Sequence, residues 1–190
     1  TFSYSAMPVL GGKAGVHALD FDGIAGGAYA SVTAPATEHR WWSHHPWNSL
    51  TITAWVYPKD VSGANSYRCI FCCTSNSGRG YRFGTSNDKL HFGVFTSGGE
   101  TSIVDSFSIP KDQWVFVTAT FDANTYEMEL LVNGLWRVDN SEALPDSDPY
   151  TQQEAGDKCW IGSRSDGGDD LWRAKMDSLK VHDGALPLWR

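Results

Sequence analysis

Apolar and polar positions alternate along much of this chain with a period of two, the period of a strand that turns one face to a core and the other away. Three phrases carry the pattern: HALDFDG at 17–23, SLTITAWVYP at 49–58 and WVFVTATFDANTYEMELLVNG at 114–134. In the second, Leu50, Ile52, Ala54 and Val56 share one face, and Thr51, Thr53, Trp55 and Tyr57 share the other. The first set is predicted to face the core, and Pro58 to end the strand. WVFVTATF and YEMELLVNG predict a hairpin through DANT, and VNG predicts a tight turn into LWRV. YRCIFCCT reads as a strand, and YRFGT with KLHFGVFT as a hairpin joined by SND. A further short strand is predicted over 101–109, closed by Pro110. KCWIGS and WRAKMDSLKVHDG complete the set, and residues 1–14 read as an edge strand or lead-in. Residues 33–48 and 139–157 lack the alternation and read as long connections, where function concentrates. No helix longer than a turn or two, no internal repeat and no linker tract is visible. The chain reads as one all-β sandwich over 1–190.

Composition sharpens this picture in a few places. The apolar fraction of 41% suffices for a substantial core. The net charge is −7 and the basic residues are scattered, without the run of Lys and Arg that marks nucleic-acid binding. No stretch of apolar residues is long enough to span a bilayer. No signal peptide is visible, and the start within TFSYSAMPVL reads as a processed or excised domain.

Four cysteines occur, at 69, 72, 73 and 159. Cys72 and Cys73 are adjacent and point to opposite faces of a strand, so they do not bond each other. A bridge from Cys159 to the cluster of Cys69 and Cys73 is expected. A zinc site on the C-x-x-C spacing and plain buried thiols are the other readings, and zinc lacks an evident fourth ligand.

The succession ALDFDG, SLTITAWVYP, WVFVTATFD, ELLVNG, WIGS and AKMDSLKVHDGAL resembles a laminin-G-like domain of the concanavalin A-like lectin/glucanase superfamily, over roughly residues 15–188. The resemblance implies a jelly-roll sandwich of two antiparallel sheets, a secreted or cell-surface location, and glycan binding, protein adhesion or service to a glycan-active enzyme. It also implies a structural calcium. The matching positions are Asp22 in DFDG and Asp177 in KMDSLKV, with Asp20 as a further ligand. Calcium takes about six to eight oxygens, so backbone carbonyls and water would complete the shell. The alternative is that Asp22 caps a Gly-rich turn and Asp177 makes an inter-strand contact.

Enzymes of this fold class need their own residues. Glycoside hydrolases carry paired carboxylates in an E-x-D-x-x-E pattern, which is absent; Glu127 and Glu129 are the nearest approach. Polysaccharide lyases need a base and a group that neutralises a uronate. Tyr81, Arg82 and His91 lie in a suitable neighbourhood, but the Arg-x-Glu-x-Arg and Gln-x-His phrases of that family are missing. The binding reading rests on aromatic rings, because the apolar face of a pyranose stacks on them. Nine Trp are many for 190 residues. Trp41, Trp42 and Trp47 crowd a polar loop with His39, Arg40, His44 and His45, and form a sugar platform or else a satellite core over the sandwich edge. Tyr81, Arg82, His91 and Trp136 are the candidates for a second contact surface. The expectation is a non-catalytic glycan-binding module with a polysaccharide or glycoprotein glycan as partner; an extracellular protein partner is the alternative.

Overall fold

A computed structural model describes residues 2–4, 7–10, 12–23, 29–33, 49–60, 67–74, 80–96, 99–140, 158–164 and 171–186. The strands are β1 (Phe2–Tyr4), β2 (Met7–Leu10), β3 (His17–Asp22), β4 (Ala30–Thr33), β5 (Leu50–Asp60), β6 (Tyr67–Thr74) and β7 (Gly80–Ser86). They continue as β8 (Lys89–Thr96), β9 (Gly99–Ser108), β10 (Val115–Asp122), β11 (Glu127–Val132), β12 (Leu135–Asn140), β13 (Lys158–Ile161) and β14 (Arg173–Asp183). They form two seven-stranded antiparallel sheets. The first runs β1-β4-β13-β6-β7-β8-β9 and the second β12-β11-β10-β5-β14-β3-β2. Late strands are inserted beside early ones: β13 lies between β4 and β6, and β14 between β5 and β3. That interleaving makes the sandwich a jelly roll. Among the described residues no helix is long and apolar enough to cross a membrane.

The core lies between the sheets and follows the alternation. Leu50, Ile52, Ala54 and Val56 of β5 are at most 2% exposed. On β10, paired to it, Val115, Val117, Ala119 and Phe121 are equally buried. Phe83, Leu90 and Phe92 meet them from the first sheet, and Phe21, Ala174 and Met176 extend the core along the second. Apolar area removed from water stabilises by roughly 25 cal/mol per Å², so these rows supply much of the driving force.

Turn chemistry fixes the registers. Asn87 and Asp88 both take positive φ, 50° and 68°, between β7 and β8. Asn133 and Gly134 do the same, at 54° and 74°, between β11 and β12. Two consecutive left-handed residues are the signature of the hairpin turn that matches strand twist. At the β10–β11 turn the Asp122 carboxylate accepts N–H bonds from the Asn124 backbone at 2.8 Å and side chain at 3.0 Å. The backbone bond leads in holding this carboxyl below its ordinary range.

Two strand expectations need correction. Pro58 does not end β5, which continues to Asp60. The β10 pairing stops at Val56, so the missing proline N–H falls where only β14 remains alongside, across an irregularity in register. The second correction concerns β6. A bulge between Cys69 and Phe71 shifts the alternation by one residue. Ile70, Phe71 and Cys73 therefore join the core, while Tyr67, Cys69 and Cys72 gather with Trp160 in a separate buried cluster.

Candidate functional site

The disulfide joins Cys73 to Cys159, with Cα atoms 4.1 Å apart. The two residues stand opposite each other in the β6–β13 register. Cys69, expected to share the Cys159 region with Cys73, is not bridged; the bulge turns it away with Cys72, and both are buried. Trp160 follows Cys159 and takes the other face, packing edge-on to Tyr29 with centroids 5.4 Å apart.

Arg82 and His91 do come together, on the side of the first sheet that faces away from the core. The Arg82 side chain donates from Nε to Glu100 Oε1 and from Nη2 to Oε2, each at 2.5 Å. His91 Nε2 lies 3.7 Å from the same carboxylate. Glu100 reaches inward from edge strand β9 because Gly93 leaves the space empty: a Cβ there would strike its carboxylate. The Arg82 guanidinium also lies 4.5 Å from the Tyr67 ring centroid and 5.4 Å from that of Phe95. His91 meets Tyr67 edge-on at 5.2 Å. His91 is only 5% exposed and Tyr67 8%. Burial first, and then the Arg82 charge, lower the His91 pKa to about 4, so the imidazole is neutral at pH 7. Burial, followed by Cys72 and Cys69, raises the Tyr67 phenol well above its usual range. Among the described residues Tyr67 Oη and His91 Nδ1 have no hydrogen-bond partner. Tyr67 and His91 are closed off, and the Arg82 guanidinium at their rim is already neutralised by Glu100.

The other expected residues lie apart from it. Tyr81 faces the core, packing near Phe121 at 6.3 Å. Trp136 belongs to β12, at an edge of the opposite sheet. Trp41, Trp42 and Trp47 lie outside the described residues.

The three carboxylates considered for calcium are near one another in sequence register but are engaged separately. Asp20 pairs with Lys59 at 2.6 Å. The Asp177 carboxylate accepts the Ala14 N–H at 2.7 Å and the Ser178 hydroxyl at 3.0 Å. Its pKa is depressed: burial opposes, but the amides of Ala14, Lys13 and Gly15 and the Ser178 hydroxyl outweigh it. Asp22 is exposed and stands opposite Arg173. Among the described residues no group of three or more His, Cys, Asp or Glu side chains is placed to hold a metal ion.

A different surface emerges on the outer side of the second sheet. Trp55 and Tyr57, predicted to turn away from the core, each meet a ring from the chain at β10. Trp55 and Phe116 have centroids 5.1 Å apart, and Tyr57 and Trp114 5.7 Å. All four are half-buried. Cross-strand register sets the first pair, Trp55 opposite Phe116. The Asn133 turn fixes Phe116, donating its N–H to the Phe116 carbonyl at 2.7 Å and accepting the Phe116 N–H at 2.9 Å. The Asp112 N–H to the Pro58 carbonyl, 2.8 Å, anchors the approach to Trp114. Lys13 Nζ sits 5.0 Å from the Trp55 centroid and Lys175 Nζ 5.8 Å from that of Tyr57. The result is a ring floor in the loose sense only: two neighbouring cross-strand pairs, one tilted by 51° and one edge-on at 71°, with an ammonium over one ring of each. Sequence alternation places Trp55 and Tyr57 on this face; their partners Trp114 and Phe116 need the β5–β10 register.

The chain matches the profile of the concanavalin A-like lectin/glucanases superfamily over residues 25–188. No match was found among curated proteins. Among solved structures it is similar to the binding domain of Paraclostridial Mosquitocidal Protein 1, with a TM-score of 0.74 and 12% identity, covering 98% of this chain and 45% of the other. It is similar to the receptor binding domain of botulinum neurotoxin D, with a TM-score of 0.70 and 13% identity over 98% and 45%. The botulinum neurotoxin serotype G binding domain gives 0.68 and 11% over 99% and 44%. The chain thus spans less than half of each of these structures, and at such identities the likeness is one of fold. With most of its length matched by one profile and two interleaved antiparallel sheets, the chain belongs to the concanavalin A-like lectin/glucanases superfamily.

Proposed function

We propose that this is a non-catalytic, laminin-G-like glycan-binding module of a larger secreted or surface protein, and that the outer face of the second sheet receives the glycan. The observation that carries the reading is the ring floor of Trp55, Tyr57, Trp114 and Phe116. Cross-strand aromatic pairs also stabilise sheets, but these four keep part of their surface open and are bordered by polar groups. Two further facts support the reading. The Cys73–Cys159 disulfide suits an oxidising compartment. The solved structures of similar fold include domains described as binding or receptor-binding domains. A lyase reading loses support, because Arg82 is held by Glu100 and has no free charge to offer a uronate.

Glycan-array screening of the chain, followed by titration of the hits, tests this function. Trp55→Ala and Trp114→Ala, each folded by circular dichroism, are expected to weaken binding by roughly tenfold or more, the usual cost of an aromatic anchor. Unchanged affinity in both variants would remove the floor from consideration.

A structural calcium is part of the family resemblance and would draw on Asp22 and Asp177, with Asp20, backbone carbonyls and water completing the shell. Thermal melts in calcium and in EDTA decide it: a raised Tm with calcium supports the ion, and superimposable curves dismiss it.

A protein partner is the second reading. It is favoured by edge strand β9, where Val104 and Phe107 are 41% and 63% exposed. An array without hits, together with a captured protein whose binding is lost in Phe107→Ser, would favour it.

A further inference from the structure

The ring floor carries a charge pattern that narrows the ligand class, granted the glycan-binding reading above. Lys13 and Lys175 come from distant parts of the chain, the turn before β3 and the start of β14. The fold brings one ammonium over Trp55 and the other over Tyr57. Neither makes an ion pair among the described residues. The carboxylates beside them are spent elsewhere: Asp20 on Lys59 and Asp177 on the amides of the turn that carries Lys13. Arg173 and Lys180, both exposed, continue the cationic side of β14. In a chain of net charge −7, two ammonium groups left over one aromatic surface form a local exception.

We propose that the saccharide taken by this face carries a carboxylate, as a uronate or sialate does. Its ring stacks on the Trp55–Tyr57 floor while the two lysines swing from the aromatic faces to the carboxylate. Cation–π attraction on a partly open ring is weak beside a charge-assisted hydrogen bond, so a carboxylate can compete for the ammonium. A densely sulfated polymer fits less well, because the remaining charge of the domain repels it.

The test compares three ligands on the intact chain: an acidic oligosaccharide, the same oligosaccharide with its carboxyl reduced to the alcohol, and heparin. The acidic form is expected to bind about tenfold more tightly than the reduced form at low salt, a margin of two exposed charge contacts, and to lose that margin as salt rises. Lys13→Gln combined with Lys175→Gln is expected to erase the preference, so that the variant binds the acidic and reduced forms with equal affinity. Equal affinity for acidic and reduced forms overturns the proposal and leaves the glycan-binding reading intact. So does a preference that survives the double substitution, or heparin as the tightest ligand. Failure of all three ligands to bind overturns the proposal together with the reading beneath it.

Discussion

At position 84 a side chain has nowhere to go. A Cβ there would collide with the Arg68 carbonyl and crowd the Tyr67 hydroxyl. The first obstacle is backbone, so Gly84→Ala is expected to destabilise the domain by about 1–3 kcal/mol, the usual cost of overpacking, measurable as a shifted urea midpoint. Gly93 differs, because its neighbour is the tip of the Glu100 side chain. His91 gives the residue scale its pH dependence. Its folded pKa of about 4 lies below the ordinary 6.5. Between those values the unfolded chain binds a proton that the folded chain refuses, so stability rises with pH across the window and is lost as pH falls through it. The difference amounts to about 3 kcal/mol. Urea unfolding from pH 4 to 7 is expected to show this slope, and His91→Gln to flatten it; a parallel slope in the variant would place its origin elsewhere. Arg82→Met removes one of the two lowering influences, so NMR titration should find the His91 pKa raised.

At the level of elements, the alternation of β5 and β10 was readable residue by residue, since both strands run through the centre of a sheet with one face on the core. The hairpin turns were readable for the same local reason: Asn-Asp and Asn-Gly accept left-handed backbone. The path of β5 past Pro58 was not, because it depends on where a neighbouring strand stops. Nor was the bulge in β6. Parity alone puts Cys69, Phe71 and Cys73 on one face, and only the register against β7 separates them. The candidate surfaces divide similarly. Arg82 and His91 were singled out by sequence, and their common partner Glu100 was missed, since it arrives from the adjacent strand β9. The ring floor needed the same kind of information: Phe116 opposite Trp55 is a fact of pairing, not of local composition.

Across the whole molecule, the Cys73–Cys159 bond links positions 86 residues apart. In the chain-entropy view, closing a loop of that size stabilises by about 4.6 kcal/mol. Replacing both cysteines by Ala is therefore expected to lower the unfolding free energy by up to that amount, with Tm as the readout; an unchanged Tm would mean that the sheets hold this register unaided. The β6 bulge has a consequence for how that bond is reached. Three thiols lie within five residues of one another, at 69, 72 and 73, and an unfolded chain offers Cys159 all of them. Ordinary alternation already turns Cys72 away from Cys73; once β6 pairs with β7, the extra residue turns Cys69 away as well and presents Cys73 alone to β13. The bulge thereby acts as a sorter of thiols during oxidative folding. Deleting Ile70 would remove the extra residue but set Cys69 directly before Phe71, so strand alternation keeps it on the side away from Cys73. Peptide mapping of that variant is expected to recover the Cys73–Cys159 disulfide alone, as in the parent; a Cys69–Cys159 isomer would show that the facing of the thiols does not choose the partner.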